Sequence, residues 1–427
     1  MKIAILGGGI TGLTAAHTLA SSGHTVVVYE KSPNLGGLAQ GFRAEGWDWP
    51  LEYAYHHIFS NDTDIIRFAQ EAGFTGIFFQ RPRTESLFGT PDNYHIFPVD
   101  SPQDFLRLPL LSMKDKLRAA FFLGILKVFP MLPYYENISA EKFIRKFMGE
   151  SMWNVFFEQL FRKKFGKYSG KIRASFLWAR IHKRTPKLGY MTGGFQGFTD
   201  HVVDACRNIG VTIHTSHTIA DIRKGSSGYS VDSEEFDCVV STLPSHILMK
   251  AGKNILNTKE IKSLQSLSYL DARVLILETD VPILAKAYWL NVSTASIPAM
   301  VIAQHTNFID PSHYGGKHLT YVGWYAVRED PIISKPQDEL VARLLPDLHT
   351  LEGSNFKLLR SFSFVGQYAQ PIFNTAFLKH KPTFRTSSPG FYIANLDMTY
   401  PYDRGTNYAV RLGKQVSEMI DKDYPNR

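Results

Sequence analysis

Three glycines near the start of the chain have the spacing of a phosphate-binding loop. The sequence Gly7-x-Gly9-x-x-Gly12 follows the apolar run 2–6 and opens an apolar helix. In this arrangement glycine lets backbone N–H groups approach a pyrophosphate, and the helix N-terminus points at its negative charge. The loop therefore predicts a site for an ADP-containing cofactor.

An acidic residue completes this pattern. Glu30 follows the apolar strand 25–29, and it lies 18 residues after Gly12. A carboxylate about 20 residues after the loop is typical of one that holds a ribose hydroxyl. Strand, turn, helix, strand and acid thus occur in the expected order, which favours a cofactor site over a merely structural glycine turn.

The following residues extend the motif. Gly36-Gly37-Leu38 comes shortly after Glu30, and the whole stretch resembles the extended FAD motif of the flavin amine oxidase and protoporphyrinogen oxidase superfamily. The resemblance implies FAD as cofactor and reaches the middle and end of the chain, through 218–219, 237–244 and 395–407. From motif and resemblance together we expect the cofactor to be held by Gly7, Gly9, Ile10, Thr11, Gly12, Glu30, Lys31, Gly36, Gly37, Leu38, His56, Ile219, Asn395, Arg404, Gly405, Thr406 and Asn407.

The resemblance also implies a reaction. Such an enzyme takes a hydride from a C–N or C–C bond of a small or lipophilic substrate onto the flavin N5. The sequence has no second strand-Gly-x-Gly-x-x-Gly-helix unit for its own nicotinamide cofactor, so we expect the electrons to come from the substrate. GxSxG and GxxxxGK[ST] motifs are also missing from the sequence, which argues against hydrolase and P-loop functions.

Two alternatives remain open at this point. The segment 55–61 resembles the His-Ile-Phe segment of UDP-galactopyranose mutases, and 400–403 resembles their Tyr-x-Tyr stretch. Such an enzyme isomerises a sugar nucleotide without net redox change, but the strand 298–305 lacks the arginine expected for the diphosphate. A catalytically idle flavin protein is the third interpretation, because only Lys286 suggests itself as a lysine beside the flavin.

His57 is the candidate catalytic residue. It matches the histidine of the His-Ile-Phe segment, and neighbouring side chains of an extended segment face opposite ways, so we expect at most one of His56 and His57 to face the ring. The alternative interpretation is an ordinary hydrogen-bonded histidine in a loop.

Composition sets further bounds. The chain has 427 residues, a formal net charge of +8 and 44% hydrophobic residues, enough for a large core and two or three domains. Its basic residues are scattered, so we do not expect nucleic acid as a partner. Cys206 and Cys238 have no metal-binding spacing and are expected to be buried thiols of a cytoplasmic protein; no histidine has a chelating spacing either.

The order of elements predicts an α/β fold with a discontinuous Rossmann-like FAD-binding domain, a mixed-sheet substrate domain and a helical subdomain. We assign the FAD-binding domain to 1–75, 190–250 and 385–427, and the substrate domain to 76–100 and 255–384. The helical subdomain takes 101–189. Within the last, the lipophilic run 117–129 carries two basic residues and is too short to cross a bilayer. It is either a core helix with a solvated edge or a helix in peripheral contact with an anionic membrane.

Overall fold

The computed structural model describes residues 1–351 and 355–425. A five-stranded parallel sheet carries the N-terminal motif, and its central strands are buried because neighbouring helices cover them. Its strands come from distant parts of the chain, in the spatial order Thr212–His214, Thr25–Tyr29, Lys2–Leu6, Cys238–Ser241 and Phe391–Ile393. The FAD-binding unit is therefore discontinuous, as its sequence pattern predicts.

Two helices lie side by side on this sheet. The first helix, Ile10–Ser21, packs against the last helix, Thr406–Asp423. The contacts between them advance in the same direction along both helices. A Cβ at Gly413 would lie 2.7 Å from the carbonyl oxygen of Thr11, and Asp421 lies 2.9 Å from His24. The helices are thus parallel, with their N-termini at one side of the sheet.

A seven-stranded mixed sheet forms the second layer. It is antiparallel except for the pairing of Arg83–Thr90 with Ala287–Val292. Its strands, in spatial order, are Leu358–Pro371, Tyr269–Thr279, His318–Ala326, Val301–Gln304, Ala287–Val292, Arg83–Thr90 and Asn93–Pro98.

Three small sheets join the larger units. Their strands are Gly41–Phe42 with Leu51–Glu52; Ile58–Phe59, Leu188–Met191 and Ile77–Gln80; and Ile222–Lys224, Tyr229–Val231 and Glu234–Phe236. The strand 77–80 thus pairs beside the FAD-binding unit and not in the seven-stranded sheet. Residues 188–189, which the sequence pattern places in the helical subdomain, belong to a strand.

Helices dominate the region between 102 and 183. Many of their aromatic residues, such as Phe143, Trp153 and Phe161, are buried in the core, whereas Phe121 and Phe129 are exposed. Two π-helical stretches interrupt the run, and the elements are Pro102–Arg107, Met113–Val128, Leu132–Asn137, Ala140–Phe143, Ile144–Met148 (π), Glu150–Met152, Trp153–Phe157 (π), Glu158–Phe165, Gly166–Lys171 (3₁₀) and Ala174–Lys183.

The other helices lie between the sheets or on their edges: Gly37–Ala39 (3₁₀), Thr63–Glu71, Gly194–Asn208, Ser245–Ala251, Thr258–Gln265, His305–Asn307 (3₁₀), Pro311–Tyr314 (3₁₀), Pro331–Ser334, Gln337–His349, Thr375–His380 and Leu396–Thr399 (3₁₀). Across the described ranges, no helix has both the length and the apolar character needed to cross a membrane.

The predicted fold class is confirmed, with a parallel sheet, a mixed sheet and a helical region. Both cysteines are buried, as expected. The exact domain limits stay a prediction.

Candidate active site

The turn after the first strand has the tight geometry that its glycines predict. Gly7 has a φ of +111°, a region that side chains disfavour. At Gly12 a Cβ would lie 2.0 Å from the carbonyl oxygen of Gly7, so the helix packs directly on the turn. Any larger residue at position 12 would push the helix away from the strand.

The N-terminus of the first helix is left without a side-chain partner. Gly9 occupies the N-cap, no side chain caps the helix, and its first turn has no acidic residue. The leading N–H groups of an α-helix have no partner within the helix, so those of Ile10, Thr11 and Gly12 are free to meet an anion. An uncapped N-terminus beside a glycine turn fits the pyrophosphate of FAD.

The last helix repeats this feature farther along the same side. Gly405 is its N-cap, again with no side-chain cap and no acid in the first turn. Gly413 of this helix lies against Thr11, Thr14 and Ala15, so Thr406 begins about 6 Å beyond the start of the first helix, from a rise of 1.5 Å per residue. The two uncapped N-termini therefore lie at the same side of the sheet, and we call the space in front of them, where an extended dinucleotide would lie, the cleft.

Glu30 lies next to the glycine turn. Its carboxylate accepts the N–H groups of Gly8 and Ser32, each at 2.8 Å. The backbone N–H of His217 donates to the carbonyl oxygen of Glu30 at 2.9 Å, which brings the neighbouring Ile219 to the same end of the cleft. Glu30 and Ile219, which are both predicted to hold the cofactor, therefore lie close together, and the exposed Lys31 is next to Glu30.

The Gly36-Gly37 extension closes over the turn. Gly9 and Gly36 form a parallel backbone bridge, and a Cβ at Gly37 would lie 3.2 Å from the Cα of Gly9. Leu38 follows and is 42% exposed. The extension thus forms a second backbone wall of the cradle and leaves an apolar side chain accessible.

Three residues predicted to hold the cofactor use their side chains within the protein. Asn395 donates to the carbonyl oxygen of Leu243, and Asn407 accepts the N–H of Ile65 at 3.1 Å. Arg404 donates to the carbonyl oxygen of Ala369 at 2.9 Å. Their role toward FAD stays a prediction, and any contact from the two asparagines would come chiefly from backbone.

The two histidines occupy a wall of aromatic rings. The Nδ1 of His57 hydrogen-bonds the hydroxyl of Tyr288 at 3.1 Å, and its ring packs edge-on against Trp289. The Nδ1 of His56 hydrogen-bonds the carbonyl oxygen of Ala54 at 2.7 Å. Burial lowers the pKa of His56 to about 4 and that of His57 to about 3. Both rings are therefore neutral at pH 7, and His57 is suited to positioning more than to accepting a proton.

A charged cluster that the sequence did not reveal lies near these rings. Asp403 accepts hydrogen bonds from Lys164 at 2.9 Å and from Arg180 at 2.5 Å. Arg404 donates to the hydroxyl of Tyr325, and its guanidinium lies over that ring. We call Lys164, Arg180, Asp403 and Arg404 the basic cluster; it has three basic side chains and one acidic side chain.

The pKa values of the cluster follow from its surroundings. Burial lowers the pKa of Lys164 to about 7, although Asp403 opposes the shift. Burial alone would raise the pKa of Asp403, but the charges of Lys164 and Arg180 hold it below its usual range. Lys164 is therefore a candidate for proton transfer near neutral pH that the sequence analysis did not identify. Its only sequence signal is a basic run, Arg162 to Lys164, within an aromatic helix.

A second missed residue, Glu52, is fully buried. It accepts the hydroxyl of Tyr190 at 2.7 Å and the N–H of Phe195 at 2.6 Å. Burial raises its pKa to about 7. Glu52 thus ties the short sheet behind the cleft to the N-terminus of the helix Gly194–Asn208, which is a structural role.

A sequence model of the flavin-containing amine oxidoreductases matches residues 10–420. The chain belongs to this family. FAD is therefore its cofactor, and the uncapped glycine cradle fits that group. Among the described residues, no group of histidine, cysteine and acidic side chains is arranged to hold a metal ion.

Comparisons with other proteins show a local sequence similarity and a shared fold. The chain is 34% identical over 92 residues to a 4,4'-diapophytoene desaturase of Staphylococcus aureus (strain MRSA252), a match that covers 19% of this chain and 18% of the relative. A provisionally named protoporphyrinogen oxidase from Exiguobacterium sp. 255-15 has the same fold, with a TM-score of 0.76, 15% identity and coverage of 99% and 98%. A reduced UDP-galactopyranose mutase also has this fold, with a TM-score of 0.74 and 17% sequence identity. The match covers 98% of this chain and 95% of the mutase.

Proposed function

We propose that this enzyme oxidises a C–C or C–N bond of a small or lipophilic substrate, with the hydride passing to FAD. The observation that carries the proposal is the match to the flavin-containing amine oxidoreductases over residues 10–420, together with the glycine turn at the uncapped N-terminus of the first helix. FAD bound at this turn would supply the hydride acceptor at its flavin N5. The chain's own residues position the substrate, exclude water and move protons.

The basic cluster bears on the kind of substrate. The two guanidinium groups of Arg180 and Arg404 outnumber the carboxylate of Asp403, which already accepts hydrogen bonds from Lys164 and Arg180. A positively charged alkylammonium group would be repelled by these cations, whereas an apolar or anionic substrate would not. The cluster thus favours C–C bond oxidation, the kind of reaction named for the desaturase relative, over oxidation of a charged amine.

Protons released from the substrate need an acceptor. Lys164 has a pKa of about 7 and lies against the rings of Tyr325 and Phe176. Neutral Lys164 has a free electron pair on Nζ for a proton, and the neighbouring Asp403 stabilises the resulting ammonium. His57, with a pKa of about 3, would contribute packing and a hydrogen bond.

The experiment is an anaerobic reduction assay. Purified enzyme with bound FAD is mixed with a carotenoid precursor, a porphyrinogen or a polyamine, and the visible absorption of oxidised flavin is followed. We expect bleaching with a hydrocarbon or anionic donor and none with the polyamine. Bleaching by the polyamine alone would contradict the argument from the basic cluster.

A mutase-like isomerisation is the second candidate, and one observation favours it. The strand Val301–Gln304 has no arginine, yet the cluster brings Arg180 and Arg404 to the cleft from other segments. Such guanidinium groups suit a diphosphate. Here dithionite-reduced enzyme, but not oxidised enzyme, would convert UDP-galactopyranose to its furanose isomer, with no bleaching by any donor.

A further inference from the structure

One helix of the helical region has an unusually apolar outer surface. Among the described residues, the six most exposed large apolar side chains all lie between 113 and 131. Phe121 is 65% exposed, whereas the most exposed large apolar side chain elsewhere, Val281, is 43% exposed. We call these six the apolar surface: Met113, Leu117, Phe121, Val128, Phe129 and Met131. Large apolar patches of this kind mark interaction sites.

The spacing of these residues shows that the surface is one face of a helix. Met113, Leu117, Phe121 and Val128 follow the spacing of one helical stripe along Met113–Val128. The opposite side is used for packing, through buried residues such as Ala119 and Leu126. The helix is therefore apolar on both its inner and its outer side. A core helix with a solvated edge would have a polar outer side.

The surroundings of the apolar surface are basic. Residues 106–135 carry five basic side chains and one acidic side chain. Lys114 is exposed next to Met113, and the exposed Lys146 has its Nζ 5.1 Å from the ring of Phe147 near the same helix. An apolar face bordered by cations matches the interface of an anionic lipid bilayer better than the surface of another apolar protein.

We propose that the apolar surface binds an anionic phospholipid bilayer, with the helix lying in the plane of the interface. The 16-residue helix is about 24 Å long, from 1.5 Å per residue, and no described helix can span the membrane. Phe121 and its neighbours enter the acyl region, while Lys114 and Lys146 meet lipid phosphates.

The contacts of the helix link this surface to the active site. The Nζ of Lys127 donates to the carbonyl oxygens of His182 and Arg184, at 2.9 and 2.7 Å, at the C-terminal end of the helix Ala174–Lys183. That helix also carries Arg180 of the basic cluster. The bilayer contact therefore lies one helix away from the cleft. The membrane proposal stands on the exposed surface alone and does not depend on the proposed reaction.

Vesicle co-sedimentation of the FAD-loaded enzyme tests the proposal. We expect binding to vesicles of phosphatidylcholine with about one third phosphatidylglycerol, and weaker binding to phosphatidylcholine alone or at high salt. The double variant Leu117→Glu, Phe121→Glu should lower the partition coefficient at least about tenfold, because it removes two apolar side chains from lipid and adds repulsive charge. Its FAD content and circular dichroism should match the parent.

The matched control is Ile209→Glu, Val281→Glu, which places the same charges at two exposed apolar positions elsewhere. It should bind vesicles like the parent. A dye on Phe121→Cys adds a direct readout, because both native cysteines are buried, and its emission should shift to the blue with anionic vesicles.

Three results would overturn the proposal. One is no vesicle binding by the parent, and another is equal loss of binding in both double variants. The third is a dimer, seen by analytical ultracentrifugation without lipid, that only Leu117→Glu, Phe121→Glu dissociates while vesicles fail to bind; the surface would then join two copies of the chain.

Discussion

Replacing Glu30 with glutamine tests whether the carboxylate beside the glycine turn holds the adenosine ribose. In the structure, its two oxygens accept the N–H groups of Gly8 and Ser32 at 2.8 Å each. Glutamine keeps one acceptor and turns an NH₂ group toward the other N–H, so one charged hydrogen bond is lost and two donors face each other. The ribose hydroxyl would also lose its charged acceptor, and a hydrogen bond to a charged group contributes about 1.5–3 kcal/mol. With 1.4 kcal/mol per factor of ten, the Kd for FAD should rise about 10–150-fold.

The assay titrates apoprotein with FAD and follows the change in flavin fluorescence. Glu45→Gln, which changes an exposed glutamate in the same way, is the control and should leave Kd unchanged. An FAD analogue with 2'-deoxyadenosine separates the ribose contact from a distorted turn: the parent should lose affinity for it, and Glu30→Gln should lose little more. If Glu30→Gln binds FAD like the parent, or discriminates the analogue as strongly, the assigned role is wrong.

Three further predictions follow from particular contacts. Gly12→Ala puts a Cβ 2.0 Å from the carbonyl oxygen of Gly7, so the folded protein should purify without FAD; a yellow product with full FAD content would contradict this. Because burial raises the pKa of Glu52 from 4.5 to about 7, its contribution to stability is present below pH 4.5 and is lost as the pH rises to 7. Relative to Glu52→Gln, the parent's free energy of unfolding should therefore fall by about 3 kcal/mol over that range in urea titrations, and a constant difference would refute the shift. Lys164→Met should abolish a transition near pH 7 in the absorption spectrum of bound FAD; a transition that persists in the variant belongs to another group.

The cofactor cradle could be predicted from the sequence because its chemistry is local. Gly7 to Gly12 is one strand–turn–helix unit, and the backbone itself makes the site. Glu30 ends the adjacent strand, and parallel pairing of 2–6 with 25–29 fixes its distance from the turn. Spacing along the chain therefore translates directly into spacing across the sheet.

The basic cluster could not be predicted in this way. Two of its basic residues, Lys164 and Arg180, lie on separate helices of the helical region, and Arg404 lies on a loop more than 200 residues later. They meet only because the chain returns to this region just before its last helix. No spacing rule joins such segments, and a lysine inside a helix looks like a solvated charge. Its burial against aromatic rings, which lowers its pKa, is a tertiary property.

His57 shows how a local resemblance can select the right place and leave the role open. The His-Ile-Phe segment does enter an aromatic wall, but the same wall removes the water that would stabilise an imidazolium, and the pKa falls to about 3. The same desolvation brings the pKa of Lys164 down from 10.5 to about 7. Burial thus argues against proton transfer by the catalytic candidate that the sequence suggested and favours a lysine that it did not reveal, so proton transfer near neutral pH should follow the lysine and not the histidine.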